Sequence, residues 1–321
     1  MNSRHKLIVA VLCVVVAAAA GRALAHPGSG IFVDAEGQVY FTDTGKGVWK
    51  IDAKGKLERM AGSAWHFMAG DMDGRFANAS DAFGRWFERA SPRGSVPAIL
   101  LCSDFPCAVG KDGNLYFANT LPFFSDNPRP TFIVRRTPAG KQTMATDGTR
   151  IQTANNGNEQ SLGHVTALAA GGDGSIYIMQ SPPDGDAHAI VKLTVDGKLT
   201  EFVSGFLDPE DGIELQPGIS KTYCRGLAVG SQGDVYVAVN GGRRVVKVTP
   251  HGNAANVLQA EKPWSPTGVA ILNDEVYVLE YTDFPPGWNP EDRRGWIPRV
   301  RKVARDGKVV TLATVVREQE E

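Results

Sequence analysis

Short apolar segments recur along the chain in pairs, and each pair is separated by a tight polar turn. Six such segments align with one another: GIFVDAEGQVYFTD, HFMAGDMDGRFANAS, PCAVGKDGNLYFAN, TALAAGGDGSIYIM, RGLAVGSQGDVYVAV and TGVAILNDEVYVLEY. The second half of each segment is rich in Val, Ile, Tyr and Phe, as strands are. Residues that tolerate a positive φ, which a tight hairpin requires, occupy the turns: Gly37, Gly74, Gly113, Gly174, Gly233 and the pair Asn273-Asp274.

A second hairpin follows each of these pairs, and its turn also contains a glycine. These turn glycines are Gly55, Gly94, Gly140, Gly197, Gly252 and Gly307. Two hairpins make a four-stranded antiparallel sheet, which cannot bury both of its faces alone. Radial stacking of the copies solves this problem and predicts an all-β, six-bladed β-propeller. The predicted blades span about residues 26–62, 63–103, 104–147, 163–205, 222–261 and 264–316, with the second blade the most degenerate.

The segments SGIFVDAEGQVYFTD, RGLAVGSQGDVYVAVNGGRRVVKV and PTGVAILNDEVYVLEY resemble NHL repeats. More widely, the chain is similar to the six-bladed superfamily of SMP-30/gluconolactonase, strictosidine synthase-like and peptidyl-amidating lyase propellers. This resemblance implies the fold, but not one function, because these propellers include hydrolases, lyases and binding scaffolds. Gluconolactonase-type enzymes place a Glu at the first inner strand, whereas this chain has His26-Pro27-Gly28-Ser29 there.

The first 25 residues have the pattern of a secretory signal peptide. Arg4, His5 and Lys6 precede the apolar run of residues 7–20, and Ala23-Leu24-Ala25 is an A-x-A cleavage signal. We expect a periplasmic or secreted protein that begins at His26 and does not insert into a membrane after cleavage. An uncleaved anchor is the alternative.

Charge and cysteine content narrow the range of partners. Loss of residues 1–25 leaves 31 basic against 35 acidic residues, a formal charge of −4. Nucleic acids and anionic membranes require a basic surface, so neither is expected as a partner, and we expect a monomer. Three cysteines remain, Cys102, Cys107 and Cys224, and each of their three pairings is open.

Long connections are predicted on one face of the propeller only. If the strands of a blade are labelled a to d from the axis outward, the short a–b and c–d turns lie on one face, here called the turn face. The long connections, residues 120–131, 147–163, 181–189, 206–222 and 281–298, lie on the opposite, insert-rich face. Long connections are often functional. Trp288 and Trp296 in the last of them are either ligand contacts or rim packing.

The inner strands begin at the insert-rich face, so their first residues are expected to surround the mouth of the axial channel. Trp65 and Phe105 are candidate ligand contacts there. His26, His66 and His164, with His188 as a possible fourth, are candidate ligands of Zn²⁺ or Cu²⁺. The alternative is that each imidazole hydrogen-bonds a neighbouring carbonyl.

A ring of oxygen-bearing side chains is predicted at the ends of the b-strands. Its members are Asp43, Asn119, Gln180, Asn240 and Glu280. Such oxygens suit Ca²⁺, but they also cap loop backbones in Asx turns.

Arg225 and Tyr223 are the candidate catalytic residues. A guanidinium at the channel mouth can bind a carboxylate bidentately, and a phenol can transfer a proton. The sequence therefore predicts a ligand pocket on the axis, belonging to a metal-dependent hydrolase or lyase that acts on a small molecule. The alternative is a non-catalytic propeller that recognises a protein, peptide or glycan.

Overall fold

The computed structural model contains only β-strands as regular elements in the residues that it describes. These residues are 27–44, 46–60, 65–71, 73–77, 79–80, 86–90, 98–102, 105–120, 131–146, 150–152, 159–181, 188–208, 220–282 and 296–316. Among them, no helix is long and apolar enough to cross a membrane.

The strands form six sheets, each with an antiparallel four-stranded core. The first two sheets contain β1 (Ile31–Val33), β2 (Val39–Asp43), β3 (Gly47–Ile51), β4 (Leu57–Met60), β5 (Phe67–Asp71), β6 (Ala79–Ser80), β7 (Trp86–Ala90) and β8 (Ala98–Cys102). The next two contain β9 (Cys107–Val109), β10 (Leu115–Thr120), β11 (Thr131–Arg136), β12 (Gln142–Met144), β13 (Arg150–Gln152), β14 (Glu159–Ser161), β15 (His164–Ala170), β16 (Ile176–Ser181), β17 (Ala189–Leu193) and β18 (Leu199–Ser204). The last two contain β19 (Cys224–Val229), β20 (Val235–Val239), β21 (Arg244–Val248), β22 (Ala254–Gln259), β23 (Trp264–Leu272), β24 (Glu275–Thr282), β25 (Pro298–Val303) and β26 (Val309–Thr314).

The sheets have a propeller arrangement around a central axis. Strand β1 contacts β5, and contacts continue through β9, β15, β19 and β23 back to β1, which closes a ring of inner strands. The second strands of the blades are buried on both faces, as the apolar run VYVAV of β20 shows, whereas the outer strand β22 is mostly exposed. Burial against both neighbouring sheets explains why the second strands are continuously apolar.

The turn prediction is confirmed for every described glycine that it named. Each has a positive φ, and so do Asn273 (49°) and Asp274 (61°). Gly94 lies outside the described residues.

The second sheet departs from the predicted pair of hairpins. Its order is β5-β8-β7-β6, so the inner strand β5 pairs with the last strand of the sheet. The apolar run AILLC of β8 suits a position between two strands, whereas β6 has only two residues. The other five sheets keep the predicted order of consecutive strands, and the fourth gains the hairpin β13–β14, in which β13 pairs in parallel with β18.

The structure settles the cysteine pairing that the sequence left open. Cys102 at the end of β8 is bonded to Cys107 at the start of β9, which joins the second and third sheets. Cys224 is a buried free thiol.

Candidate functional site

An axial cavity of about 260 Å³ lies inside the ring of inner strands, and all six of these strands line it. Near the insert-rich face its wall includes Ser29 and Arg225. Near the turn face it includes Val33, Val109 and Ile271. Among the described lining residues, Arg225 is the only one with a formal charge. The described wall of the cavity therefore carries one charged side chain, and this cation lies at the mouth.

Arg225 lies at an irregularity of strand β19. The pairing of β19 with β20 shifts between Cys224 and Gly226, which leaves Arg225 as the extra residue of a β-bulge. Equivalent shifts occur in β15 around Thr166 and in β23 around Thr267. Both threonine hydroxyls hydrogen-bond a carbonyl of their own sheet, at 3.4 Å for Thr166 and 3.5 Å for Thr267. The same bulge thus occurs in three sheets, and only in the fifth does it carry an arginine.

The Arg225 guanidinium reaches from the fifth sheet to the start of the first. Its Nη2 donates a hydrogen bond to the carbonyl oxygen of Pro27. Arg225 is 7% exposed, and this burial lowers the pKa of its guanidinium, whereas the nearby Tyr223 and Tyr281 act in the opposite direction. An arginine nevertheless keeps its charge in proteins, so a cation is held in a desolvated position.

The segment Pro27–Gly30 lies across the mouth of the cavity. The amides of Ser29 and Gly30 both donate to the carbonyl of His66 in the second sheet, each at 2.8 Å. The first and fifth sheets are not neighbours in the ring, so the contact of Pro27 with Arg225 crosses the mouth.

A polar cluster adjoins Arg225 at the boundary of the fourth and fifth sheets. The buried His188 accepts a hydrogen bond at Nε2 from the amide of Cys224 (3.2 Å), and its Nδ1 lies 3.3 Å from Ser181 Oγ. Because Nε2 accepts, the ring proton is on Nδ1, and it points to Ser181. Both ring nitrogens of His188 thus lie at hydrogen-bonding distance from groups of the protein. Tyr223, 39% exposed, lies with its ring centre 6.3 Å from that of His188.

The four predicted metal ligands are not brought together by the described part of the chain. His66 is half-buried in the second sheet, and His164 is exposed beside Ser181 in the fourth. No group of three His, Cys, Asp or Glu side chains within the described ranges is arranged to hold a metal ion. His26 lies outside these ranges, so a site that includes it stays a prediction.

The predicted ring of oxygens is engaged in contacts within the protein. Asp43 accepts from Trp49 Nε1 (3.1 Å), Gln180 accepts from the amide of Gly163 (2.6 Å), Asn240 donates to the carbonyl of Pro266 (3.2 Å), and Glu280 accepts from Arg299 and Arg301 (2.5 Å each). Asn119 is half-buried and pairs with Phe132 across β10 and β11. These contacts favour the structural alternative, in which the oxygens hold loops and sheets in place.

Packing also accounts for the predicted aromatic contacts that the structure describes. Phe105 is buried with its ring centre 5.5 Å from that of Phe117, and Trp296 is buried in the cluster that contains Tyr281. Trp65 packs against the cluster of Tyr40 and Met68. Trp288 lies outside the described residues.

Comparisons with known proteins show a likeness of fold only. No protein-family model matches the sequence, and neither does any curated protein. A solved structure of a protein of unknown function from Bacteroides thetaiotaomicron is 15% identical, with a TM-score of 0.51 over 78% of this chain and 66% of that chain. Virginiamycin B lyase from Staphylococcus aureus is 14% identical (TM-score 0.42, 89% and 83% of the chains), and a gluconolactonase from Xanthomonas campestris is 15% identical (0.47, 79% and 84%). The chain is thus a β-propeller that carries a buried cation at the mouth of its axial cavity.

Proposed function

We propose that this protein binds a small anionic molecule in the axial cavity and acts on it as a hydrolase or lyase. Arg225 anchors the anion, and Tyr223 beside it is the proton-transfer group. The observation that carries this proposal is the place of Arg225 in a bulge where two other sheets have a threonine. Bulges next to active sites commonly re-aim a side chain, and here the side chain is a cation at a cavity.

The energetics of a buried cation support the same role. Desolvating a guanidinium costs free energy that a neutral carbonyl offsets only in part. A carboxylate forms a charge-assisted, bidentate pair with arginine that is about twice as strong as a neutral hydrogen bond. Binding of an anion therefore offsets more of the free energy of desolvating Arg225 than binding of a neutral ligand does.

Binding of small anions tests the proposal directly. Calorimetric titration of the purified protein with acetate and with phosphate should give saturable binding of at least one of them. Arg225→Met should weaken that binding at least tenfold, and Arg225→Lys, which keeps the charge without the planar fork, should weaken it less. Arg135→Met on the turn face is the matched control. Equal affinities in wild type and Arg225→Met would refute the anchor.

Catalysis requires its own measurement. A panel of anionic lactones and esters should contain at least one compound that the protein turns over. For that compound Tyr223→Phe should lower kcat while leaving the affinity for the anionic probe unchanged. If the protein turns over none of the compounds, the result would favour a protein that binds the anion without catalysis.

The contact between Arg225 and Pro27 favours one alternative function, a non-catalytic propeller that recognises a peptide. In that contact the mouth already holds a main-chain carbonyl of its own chain. A short unblocked peptide that binds more tightly than any small anion, with the same dependence on Arg225, would favour this reading.

The remaining sequence predictions belong to the same proposal. We regard the β5-β8-β7-β6 sheet as the second of six NHL-like blades, and residues 1–25 as a signal peptide of an exported monomer that binds neither nucleic acid nor membranes. Amino-terminal sequencing of the secreted protein tests the cleavage site. A Zn or Cu ion is proposed with His26 among its ligands, and a Ca ion at the ring of oxygens. Elemental analysis of wild type and His66→Ala tests both.

A further inference from the structure

The wall of the axial cavity exposes more polar than apolar surface. Each inner strand is the terminal strand of its sheet on the side of the axis: β1, β5, β9, β15, β19 and β23. An edge strand presents a row of N–H and C=O groups that no neighbouring strand pairs, and in these six strands that row faces the cavity. The wall therefore offers main-chain hydrogen-bond donors and acceptors along its length.

A segment of the chain itself shows how the mouth of the cavity binds a peptide main chain. The guanidinium of Arg225 donates a hydrogen bond to the carbonyl oxygen of Pro27. The amides of Ser29 and Gly30 donate to the carbonyl of His66, which directly precedes β5. A cationic side chain thus holds a peptide carbonyl, and a main-chain carbonyl beside an inner strand accepts peptide N–H groups.

The charge of the wall limits the end groups that a ligand can carry. Arg225 is the only charged side chain among the described lining residues. A carboxylate forms a charge-assisted pair with this guanidinium. An ammonium group farther inside would lose its water without gaining an opposite charge from these residues, which costs free energy. The ligand is therefore expected to be anionic at one end and uncharged at the other.

The size of the cavity sets the size of the ligand. A volume of about 260 Å³ corresponds to about eight or nine non-hydrogen atoms at roughly 30 Å³ each, the volume of a water molecule in the liquid. N-Acetylglycine has this size, with a carboxylate at one end and an amide in the middle.

We infer that the ligand is a small N-acylated amino acid, with its carboxylate on Arg225 and its amide hydrogen-bonded to the edges of the inner strands. This inference rests on the proposed function, since it assigns a ligand class to the same anion anchor. An amide has one N–H donor and one carbonyl acceptor, which complement the groups of the wall. A hydroxy acid is the competing ligand, and the peptide groups held at the mouth favour the amide.

Four compounds with equal numbers of non-hydrogen atoms test the inference by calorimetry. N-Acetylglycine should bind about tenfold more tightly than hexanoate, the effect of two net hydrogen bonds. It should also bind several-fold more tightly than 2,3-dihydroxybutanoate. N-Acetylglycinamide, which lacks the negative charge, should bind at least tenfold more weakly than N-acetylglycine.

Two further measurements locate the amide of the ligand. N-Acetyl-N-methylglycine lacks the N–H donor, and it should bind several-fold more weakly than N-acetylglycine. Binding of N-acetylglycine should slow hydrogen exchange of main-chain amides in the inner strands β19 and β23. The mostly exposed outer strand β22 is the control and should exchange at an unchanged rate.

Two variants locate the carboxylate of the ligand. Arg225→Met should weaken the binding of N-acetylglycine at least tenfold and leave that of N-acetylglycinamide unchanged, because only the former carries the anion. Arg135→Met on the turn face is the matched control and should change neither affinity.

The outcomes separate this inference from the proposed function. If hexanoate or 2,3-dihydroxybutanoate binds through Arg225 as tightly as N-acetylglycine, the anion anchor stands and the ligand class is wrong. Unchanged affinity for the N-methylated compound, together with unchanged hydrogen exchange in β19 and β23, would also overturn the ligand class. If no carboxylate or phosphate binds at all, the anchor itself fails.

Discussion

The two faces of the propeller use polar side chains in different ways. On the turn face, five sheets repeat one arrangement, in which a Tyr of the second strand pairs with a Lys or Arg of the third and an acid contacts the Tyr, the cation or both. The sets are Asp34/Tyr40/Lys50, Asp112/Tyr116/Arg135, Asp173/Tyr177/Lys192, Asp234/Tyr236/Lys247 and Glu275/Tyr277/Lys302. At the mouth on the insert-rich face, the six equivalent positions carry five residue types: Ser29, His66, Phe105, Thr166, Arg225 and Thr267.

Repetition distinguishes the polar groups that build the sheets from those that serve one place in the molecule. A contact that recurs in five sheets is explained by cross-strand pairing, which every sheet needs. Among the six equivalent positions only the fifth sheet has an arginine, and the contact of Arg225 reaches past the sixth sheet to Pro27. Recurrence therefore favours a structural role for the turn-face sets and leaves Arg225 as the exceptional polar group at the mouth.

Strand β24 tests the comparison most strongly, because it carries a glutamate near each end. Glu280 is 0% exposed and holds both Arg299 and Arg301, whereas Glu275 is 28% exposed and pairs with Lys302. Glu280→Ala should cost about 3–5 kcal/mol of unfolding free energy, because two buried arginines lose their buried partner and keep only the exposed Glu261.

Glu275→Ala is the matched control on the same strand, and it should cost less than about 1 kcal/mol. Urea unfolding followed by tryptophan fluorescence measures both variants. Equal costs would show that burial does not separate the two ends of β24.

Alkaline pH should weaken the turn face before the mouth. Burial, followed by the charges of Asp112 and Glu275, raises the pKa of Tyr116 and of Tyr277 to about 12, against about 10 in an unfolded chain. A raised folded pKa gives stability that is complete below pH about 10 and is lost as pH rises through about 12.

Thermal unfolding across this range measures the loss of stability. Tyr116→Phe and Tyr277→Phe together should make the decline shallower. A decline that is equally steep in wild type and in the double variant would assign it to other groups.

Arg225→Met should change stability little or raise it, by up to about 2 kcal/mol, because a desolvated cation is replaced by an apolar side chain of similar size. Arg299→Met should instead cost at least about 2 kcal/mol, since it removes one of the two arginines that pair with the buried Glu280. Urea unfolding shows whether each variant has a higher or a lower free energy of unfolding than the wild-type protein. A large loss of stability in Arg225→Met would make Arg225 a structural residue like Arg299.

The sequence predicts the sheets well because their signals are local. Each turn glycine and each apolar run lies within a few residues of the strands it defines, and five sheets have the expected order. The prediction was wrong for the second sheet. There β5 pairs with β8, which joins Phe67 to Cys102, and a local pattern does not encode a partner so far along the chain.

The site was predicted only in part, for a related reason. Aligning TALA, RGLA and TGVA places Arg225 in the column of Thr166 and Thr267, so the sequence does show the exceptional residue. One partner of Arg225 is the main-chain carbonyl of Pro27, and a contact to a main-chain atom cannot be inferred from the pattern of residue types. For the ring of oxygens, the sequence shows that Glu280 is a possible ligand by residue type, and only the structure shows Arg299 and Arg301 beside it.

The smallest expected effect concerns the repeated sets themselves. Lys247 lies 2.6 Å from Asp234 and 5.8 Å from the centre of the Tyr236 ring, and Lys192 has the same relation to Asp173 and Tyr177. Lys247→Met and Lys192→Met should each cost about 0.2–1 kcal/mol, because these half-exposed ion pairs are screened by solvent. The double variant should lose the sum of the two free energies, since the sets share no partner.

Chemical unfolding of the wild-type protein, the two single variants and the double variant measures these free energies, with Lys54→Met in an exposed turn as the control. A double variant that deviates from additivity by more than about 0.5 kcal/mol would show that the turn face acts as one network rather than as independent copies.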